Sequence, residues 1–199
     1  MEVMMLKDRR HFMKSTLVGV AAVAPVLSSS LVAAESPKSD EDKPMRIVIA
    51  SDKFALPLLE AVKQHLISKG HEVVDVGASE SEATPHFDSA PAACKRIQEK
   101  KADRGILICG TGMGMSIIAN KFHGIIASCV ESVYAAKMCR AINNANVLCL
   151  GGMIWGPSMA CDAVDAFLTT NMTDGLPDVA DFLVLADKKI AAIDDATRK

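Results

Sequence analysis

The chain has 199 residues, half of them apolar, and a formal net charge of −2. That length holds one compact domain plus extra segments, with enough apolar content for a full core. The near-neutral charge and an aromatic content of 4% exclude the basic, base-stacking surface of a nucleic-acid binder.

The first segment reads DRRHFMKSTLVGVAAVAPVLSSSLVAAES. Arg9 and Arg10 precede Phe12, Met13 and Lys14, and an uncharged run from Ser15 to Ala34 follows, broken by Pro25 and serines. This suits a removable signal rather than a permanent membrane anchor, with Val32-Ala33-Ala34 as the small-residue cleavage site. It resembles a twin-arginine export signal. Residues 1–34 are therefore expected to direct export to the periplasm or the extracellular medium. Residues 35–44, charged and carrying two prolines, read as a flexible linker.

From Met45 the apolar period alternates between strand and helix. RIVIAS (Arg46 to Ser51) predicts a buried strand. Leu58, Leu59, Val62 and Leu66 predict a helix over 56–69, stopped at Gly70. HEVVDVG predicts the next strand, and ASESEATPHF a polar loop. Asp88 to Lys101 reads as a helix opened by an aspartate cap. RGILICG, a helix from Met115 to Lys121, GIIASCV, a helix from Ser132 to Ile142, and NVLCLGG follow in turn. A helix from Ser158 to Thr169, with Ser158 as its cap, closes the domain at residue 170. The tail, 171–199, carries a helix from Asp181 to Ile193, of a kind that packs on a partner.

Five apolar strands separated by helices predict an α/β fold: a three-layer α/β/α sandwich on a five-stranded parallel, Rossmann-like sheet. Ligands in such sheets bind beyond the carboxyl ends of the strands. The rule selects Ser51-Asp52-Lys53, the Cys109 loop, Val130-Glu131 and Gly151-Gly152.

The Cys109 loop reads ILICGTGMGMS. Its glycines, Gly110, Gly112 and Gly114, fall at every second position, which matches neither the dinucleotide fingerprint nor a Walker loop. Glycines let a ligand approach backbone N–H groups, and unpaired N–H groups at a helix start attract anions. The same field favours a thiolate over a thiol. A thiolate there can take a proton from a carbon beside a carbonyl while the N–H groups hold the enediolate oxygen. The blander reading is a buried cysteine before a packing turn, and spacing alone favours it. None of the six cysteines forms a C-x-x-C pair, so zinc and dithiol redox chemistry lack support.

GILICGTGMGMSIIANK followed by NNANVLCLGG is similar to the ribose-5-phosphate isomerase B and galactose-6-phosphate isomerase family, over about residues 45–170. The resemblance implies an aldose–ketose isomerase without metal or organic cofactor, acting on a sugar or sugar phosphate. It implies a homodimer or homotetramer with sites shared between subunits. It makes Cys109 the proton-transfer base, with Thr111 beside it and Gly110, Gly112, Gly114 and Ser116 lining the site. Asp52 would bind sugar hydroxyls, Lys53 an anion, and Asn143 and Asn144 the carbonyl end of the open sugar. The chain departs from the family at Lys53, where a histidine is usual, and at Ile142, which stands in for the ring-opening histidine. It also lacks the phosphate-clamping arginines. An altered substrate is therefore expected, with ring opening left to His86, His123, Glu131 or spontaneous opening. The alternative is an exported, non-catalytic protein that binds a sugar or another small ligand on the same fold. Trp155 is expected to pack against a neighbouring subunit rather than stack on a sugar.

Overall fold

The computed structural model describes residues 44–82 and 84–198. The signal segment and nearly all of the linker lie outside the described residues. Five strands form the sheet: β1 (Arg46–Ser51), β2 (Glu72–Asp75), β3 (Arg104–Cys109), β4 (Ala127–Cys129) and β5 (Val147–Gly151). The helices are α1 (Leu56–Ser68), α2 (His86–Gln98), α3 (Met113–Ala119), α4 (Val133–Asn143), α5 (Pro157–Thr169) and α6 (Ala180–Thr197). The strand order is β2-β1-β3-β5-β4 and every pairing is parallel.

Right-handed crossovers then decide where the helices lie. Moves toward β2 and from β4 back to β5 place α1 and α4 on one face, with α5 beside them. Moves toward β3 and β4 place α2 and α3 on the other. The two cores match this division. Ile47, Ile49, Ile106, Ile108, Leu148 and Leu150 pack with Leu59, Val62, Leu66, Val164 and Phe167. The alternate strand residues, Val48, Ala50, Leu107, Cys109 and Cys149, pack with Ala90, Ala93, Cys94, Met115 and Ala119. This is the two-residue period of a strand buried on both faces.

Several boundaries differ from the sequence reading, each for a local reason. α2 starts at His86 after Pro85, so Asp88 lies in the first turn rather than at the cap, where its charge still favours the helix dipole. α5 is capped by Gly156 with Pro157 in the first position, so Ser158 is not the cap. α3 begins at Met113, because Gly112 turns the chain at φ +79°. β4 is short: Gly124 sits at φ +73°. The Ile126 N–H is taken by the Asn146 side chain at 2.9 Å instead of a neighbouring strand.

The tail helix packs on α4 and along the amino edge of its own sheet. Leu183 is buried, the Gly124 N–H donates to Asp194 (2.6 Å), and Arg198 donates to the Phe122 carbonyl (2.8 Å). Among the described residues no helix is long and apolar enough to cross a membrane.

Candidate active site

Strand order reverses between β1 and β3. The carboxyl ends of these two strands bring Asp52 and Cys109 to one edge, the place where such sheets hold ligands. The Asp52 N–H donates to the Ile108 carbonyl at 3.3 Å, fastening the two strand ends together. Asp52 is buried, and one carboxylate oxygen accepts from the Phe54 N–H at 3.0 Å. That bond opens a single 3-10 turn, Lys53–Ala55, and leaves Lys53 exposed at the rim. Lys53 lines a cleft of about 620 Å³ together with Leu56, Lys63, Asp75 and Ser79; Lys63 is already paired with Asp75 at 3.0 Å.

Cys109 is 6% exposed. Its sulfur accepts a hydrogen bond from the Gly112 N–H at 3.2 Å, so it turns into the glycine loop rather than away from it. The loop is braced from behind by main chain. The Gly152 N–H donates to the Cys109 carbonyl (2.8 Å) and the Met153 N–H to the Gly110 carbonyl (3.0 Å). Thr111 is exposed, and its hydroxyl sits 3.4 Å from the Met113 N–H. Ser116 donates to the Met113 carbonyl at 2.9 Å, which turns its hydroxyl back along the first turn of α3.

Two glycines here are obligatory for backbone reasons. Gly112 has φ +79°, and a Cβ on it would lie 2.9 Å from the Leu150 backbone. A Cβ on Gly151 would lie 2.8 Å from the Thr111 carbonyl carbon. The Gly151-Gly152 pair after β5 thus lets the Cys109 loop settle onto the sheet.

Three further features meet this edge: one ring-opening candidate, His86, and two residues that the sequence did not assign to the site, Cys129 and Trp155. His86, at the start of α2, lays its imidazole edge against Gly114, 3.0 Å from where a Cβ would be. The Cys129 sulfur lies 3.6 Å from the Thr111 carbonyl; burial, with Cys109 and Glu131 nearby, raises its thiol above the ordinary value. Trp155 is buried, and its indole N–H donates to the Val130 carbonyl at 3.0 Å. It fills the core beneath the edge, which corrects the expectation that it packs on a neighbouring subunit. The other candidates for ring opening lie differently. His123 is at the amino edge, bonded to Asp195 at 2.8 Å, and Glu131 is exposed beyond β4.

Asn143 and Asn144 end α4 and therefore lie at the amino edge, across the sheet from Cys109 in the same chain. Asn143 is exposed. Asn144 takes the left-handed C-cap position, and its side chain accepts from Arg140 at 3.0 Å. All six cysteines are free thiols, and no group of three His, Cys, Asp or Glu side chains gathers as a metal site among the described residues.

The comparisons with known proteins place the family and the fold. Residues 47–178 match the Ribose/Galactose Isomerase family. The chain belongs to the ribose/galactose isomerase family. It is accordingly an aldose–ketose isomerase. It is 46% identical over 154 residues to 4-deoxy-4-sulfo-D-erythrose isomerase of Clostridium sp., covering 76% of this chain and 97% of that one. It is 39% identical to ribose-5-phosphate isomerase B of Escherichia coli, covering 65% and 87%. The solved ribose-5-phosphate isomerase B of Clostridium thermocellum superposes with a TM-score of 0.70 at 34% identity, over 76% of this chain and 99% of that one.

Proposed function

We propose that this isomerase works through Cys109 on a short sugar with an anionic end. The thiolate takes the proton from the carbon beside the carbonyl, and the electron pair moves onto the carbonyl oxygen as an enediolate. The loop amides around Thr111 and Gly112 stabilise that oxygen. The proton of the neighbouring hydroxyl passes to the enediolate oxygen, and the thiol returns its proton to the former carbonyl carbon as the neighbouring carbon becomes the new carbonyl. This completes the aldose–ketose exchange without net gain or loss of atoms. The observation that carries this reading is the Cys109 sulfur held toward the Gly112 N–H at the carboxyl edge. Asp52 supplies a buried carboxylate beside it for sugar hydroxyls. Lys53 offers one exposed cation on the rim, where the phosphate-binding relatives are expected to carry a histidine backed by arginines. One cation at the rim suits a singly charged end group. The relative named for a sulfonated four-carbon sugar supports sulfonate as that group, with phosphate as the second choice.

The asparagine pair joins the reaction only through another copy of the chain. Asn143 is exposed at the amino edge, and Phe54, Met113 and Met153 are exposed apolar side chains around the carboxyl edge. Both features support a homodimer or homotetramer whose sites are completed across the interface.

Incubating the protein in heavy water with short aldoses, free, phosphorylated and sulfonated, tests the chemistry. Carbon-bound deuterium is expected with the wild type, fastest with the sulfonated sugar, and at least about 1,000-fold less with Cys109→Ala. Equal exchange in the variant would remove Cys109 from the mechanism. Saturable binding without exchange would instead favour the non-catalytic reading. Export through residues 1–34 is part of the same proposal. A reporter fused to residues 1–44 should stay in the cytoplasm when Arg9 and Arg10 are both changed to Lys. Unaltered translocation would reject the twin-arginine route.

A further inference from the structure

α6 roofs a cavity of about 520 Å³ at the amino edge, on the far side of the sheet from Cys109. Arg198 lines it but is paired with Asp194 at 2.9 Å. Two further guanidiniums line it, Arg104 from the start of β3 and Arg140 from the last turns of α4. Neither forms an ion pair with a carboxylate among the described residues. Arg140 is 4% exposed, and its bonds go to neutral oxygens: the carbonyls of Ala145 (2.7 Å) and Thr170 (3.3 Å) and the Asn144 side chain (3.0 Å). Arg104 donates to the Asp103 carbonyl at 2.8 Å, while its buried Nε has no partner. Asp103, which acts on Arg104, is occupied by Arg46 at 2.6 Å.

Buried cations without counter-charges are costly. Burial lowers the Arg104 guanidinium below its ordinary value. Burial, reinforced by Arg104, brings Arg140 down to about 10. The aspartates offset this pair only in part: Asp174 and Asp187 act on Arg140 without pairing with it, and no aspartate of the α6 wall forms an ion pair with either arginine. Asp194 is held by Arg198 (2.9 Å) and the Gly124 N–H (2.6 Å), and Asp195 by His123 (2.8 Å). Asp187 meets the Asn144 amide at 3.5 Å. Ile125, Ile126, Ile190 and Ile193 supply the apolar part of the wall, beside the neutral polar side chains of Asn120, Asn146 and Thr197. The volume falls in the range of small-molecule sites, far above what one water or a bare ion fills.

We propose that this cavity is a second binding site, separate from the Cys109 pocket of the same chain, for a small organic oxyanion. The ligand would be a phosphate or sulfonate on a short carbon chain, with Arg104 and Arg140 holding the oxygens and the isoleucines covering the chain. Guanidinium forks match such groups in shape as well as charge. The ligand also bridges β3, α4 and α6, so binding fastens the tail helix to the sheet.

The test uses the full chain, with glycerol 3-phosphate as the probe and glycerol and inorganic phosphate as controls, followed by backbone amide shifts. Glycerol 3-phosphate should move the Gly124 amide and the α6 amides around Ile190 and Asp194, in the wild type and equally in Cys109→Ala. Inorganic phosphate should bind more weakly and glycerol not at all. Arg104→Met should weaken these shifts at least about tenfold. Ile190→Trp, which fills the cavity and keeps both arginines, should abolish them and decides the matter if Arg104→Met does not fold. Shifts confined to Cys109 to Ser116, no shifts at α6, or undiminished shifts in either folded variant would overturn the proposal.

Discussion

At the carboxyl edge of the sheet, the Cys109 loop is tied down by main chain, through the Gly152 and Met153 N–H groups. At the amino edge, the matching loops are tied down by side chains: Asn146 to Gly124 and Ile126, Asp103 to Arg46, Asp194 to Gly124. A backbone-held loop leaves its side chains free for chemistry, but it depends on glycine wherever two main chains touch. A side-chain-held edge tolerates ordinary backbone, but it depends on charge and protonation. The two edges should therefore fail in different ways: one by added carbon, the other by added protons.

The largest effect is expected at Gly112. Alanine there takes a left-handed φ of +79°, and its Cβ lies 2.9 Å from the Leu150 backbone and 3.0 Å from the Cys129 sulfur. Strain and overpacking together should cost about 3 kcal/mol, and they displace the N–H that meets the Cys109 sulfur. Urea unfolding and isomerase assays should both show the loss. A variant with native stability and native kcat would mean that the loop is not held by backbone fit.

His86 comes next. Its ring rests on Gly114, the one member of the ring-opening candidates that touches the glycine loop, while Ile142 is apolar and at the other edge. His86→Gln should lower kcat with the ring-closed sugar by about 10- to 100-fold, and much less with a sugar too short to cyclise. Gly114→Ala should repeat the loss at little cost in stability, since its Cβ meets only the movable imidazole. Equal losses with cyclic and acyclic substrates would make His86 a packing residue.

Much of this was legible in the sequence because it is local. RIVIAS and RGILIC have the composition of strands buried on both faces, and their alternation allocates Ile49 and Ala50 to opposite cores. The glycine spacing marked the one loop where the chain must turn and be approached. What the sequence hid depends on strand order. Because β5 inserts between β3 and β4, Gly151 meets Thr111, and Trp155 is carried under Val130 into the core. The asparagine pair was read as part of the Cys109 site, yet α4 runs antiparallel to the strands and carries it to the other end. His86 came within reach of Gly114 because α2 and α3 share a face, a neighbourhood set by crossover handedness rather than by any motif.

The smallest effect sharpens the amino-edge side of the comparison. The His71 Nδ1 accepts a hydrogen bond from the Met45 N–H at 3.2 Å, which only the neutral ring can do at that atom. Burial lowers its pKa, against weaker upward pull from Asp165. The folded state therefore binds this proton less readily than the unfolded chain, whose histidine titrates near 6.5. Its contribution is whole above that value and declines as pH falls through 6.5 toward the folded pKa. Because the ring is partly solvated, the loss between pH 7.5 and 5 should be only about 0.5 kcal/mol. The difference between wild type and His71→Gln, measured by urea unfolding across that range, should shrink by this amount on acidification. Parallel curves would mean that the Met45 contact survives protonation, and that the entry to β1 is held by the strand pairing alone.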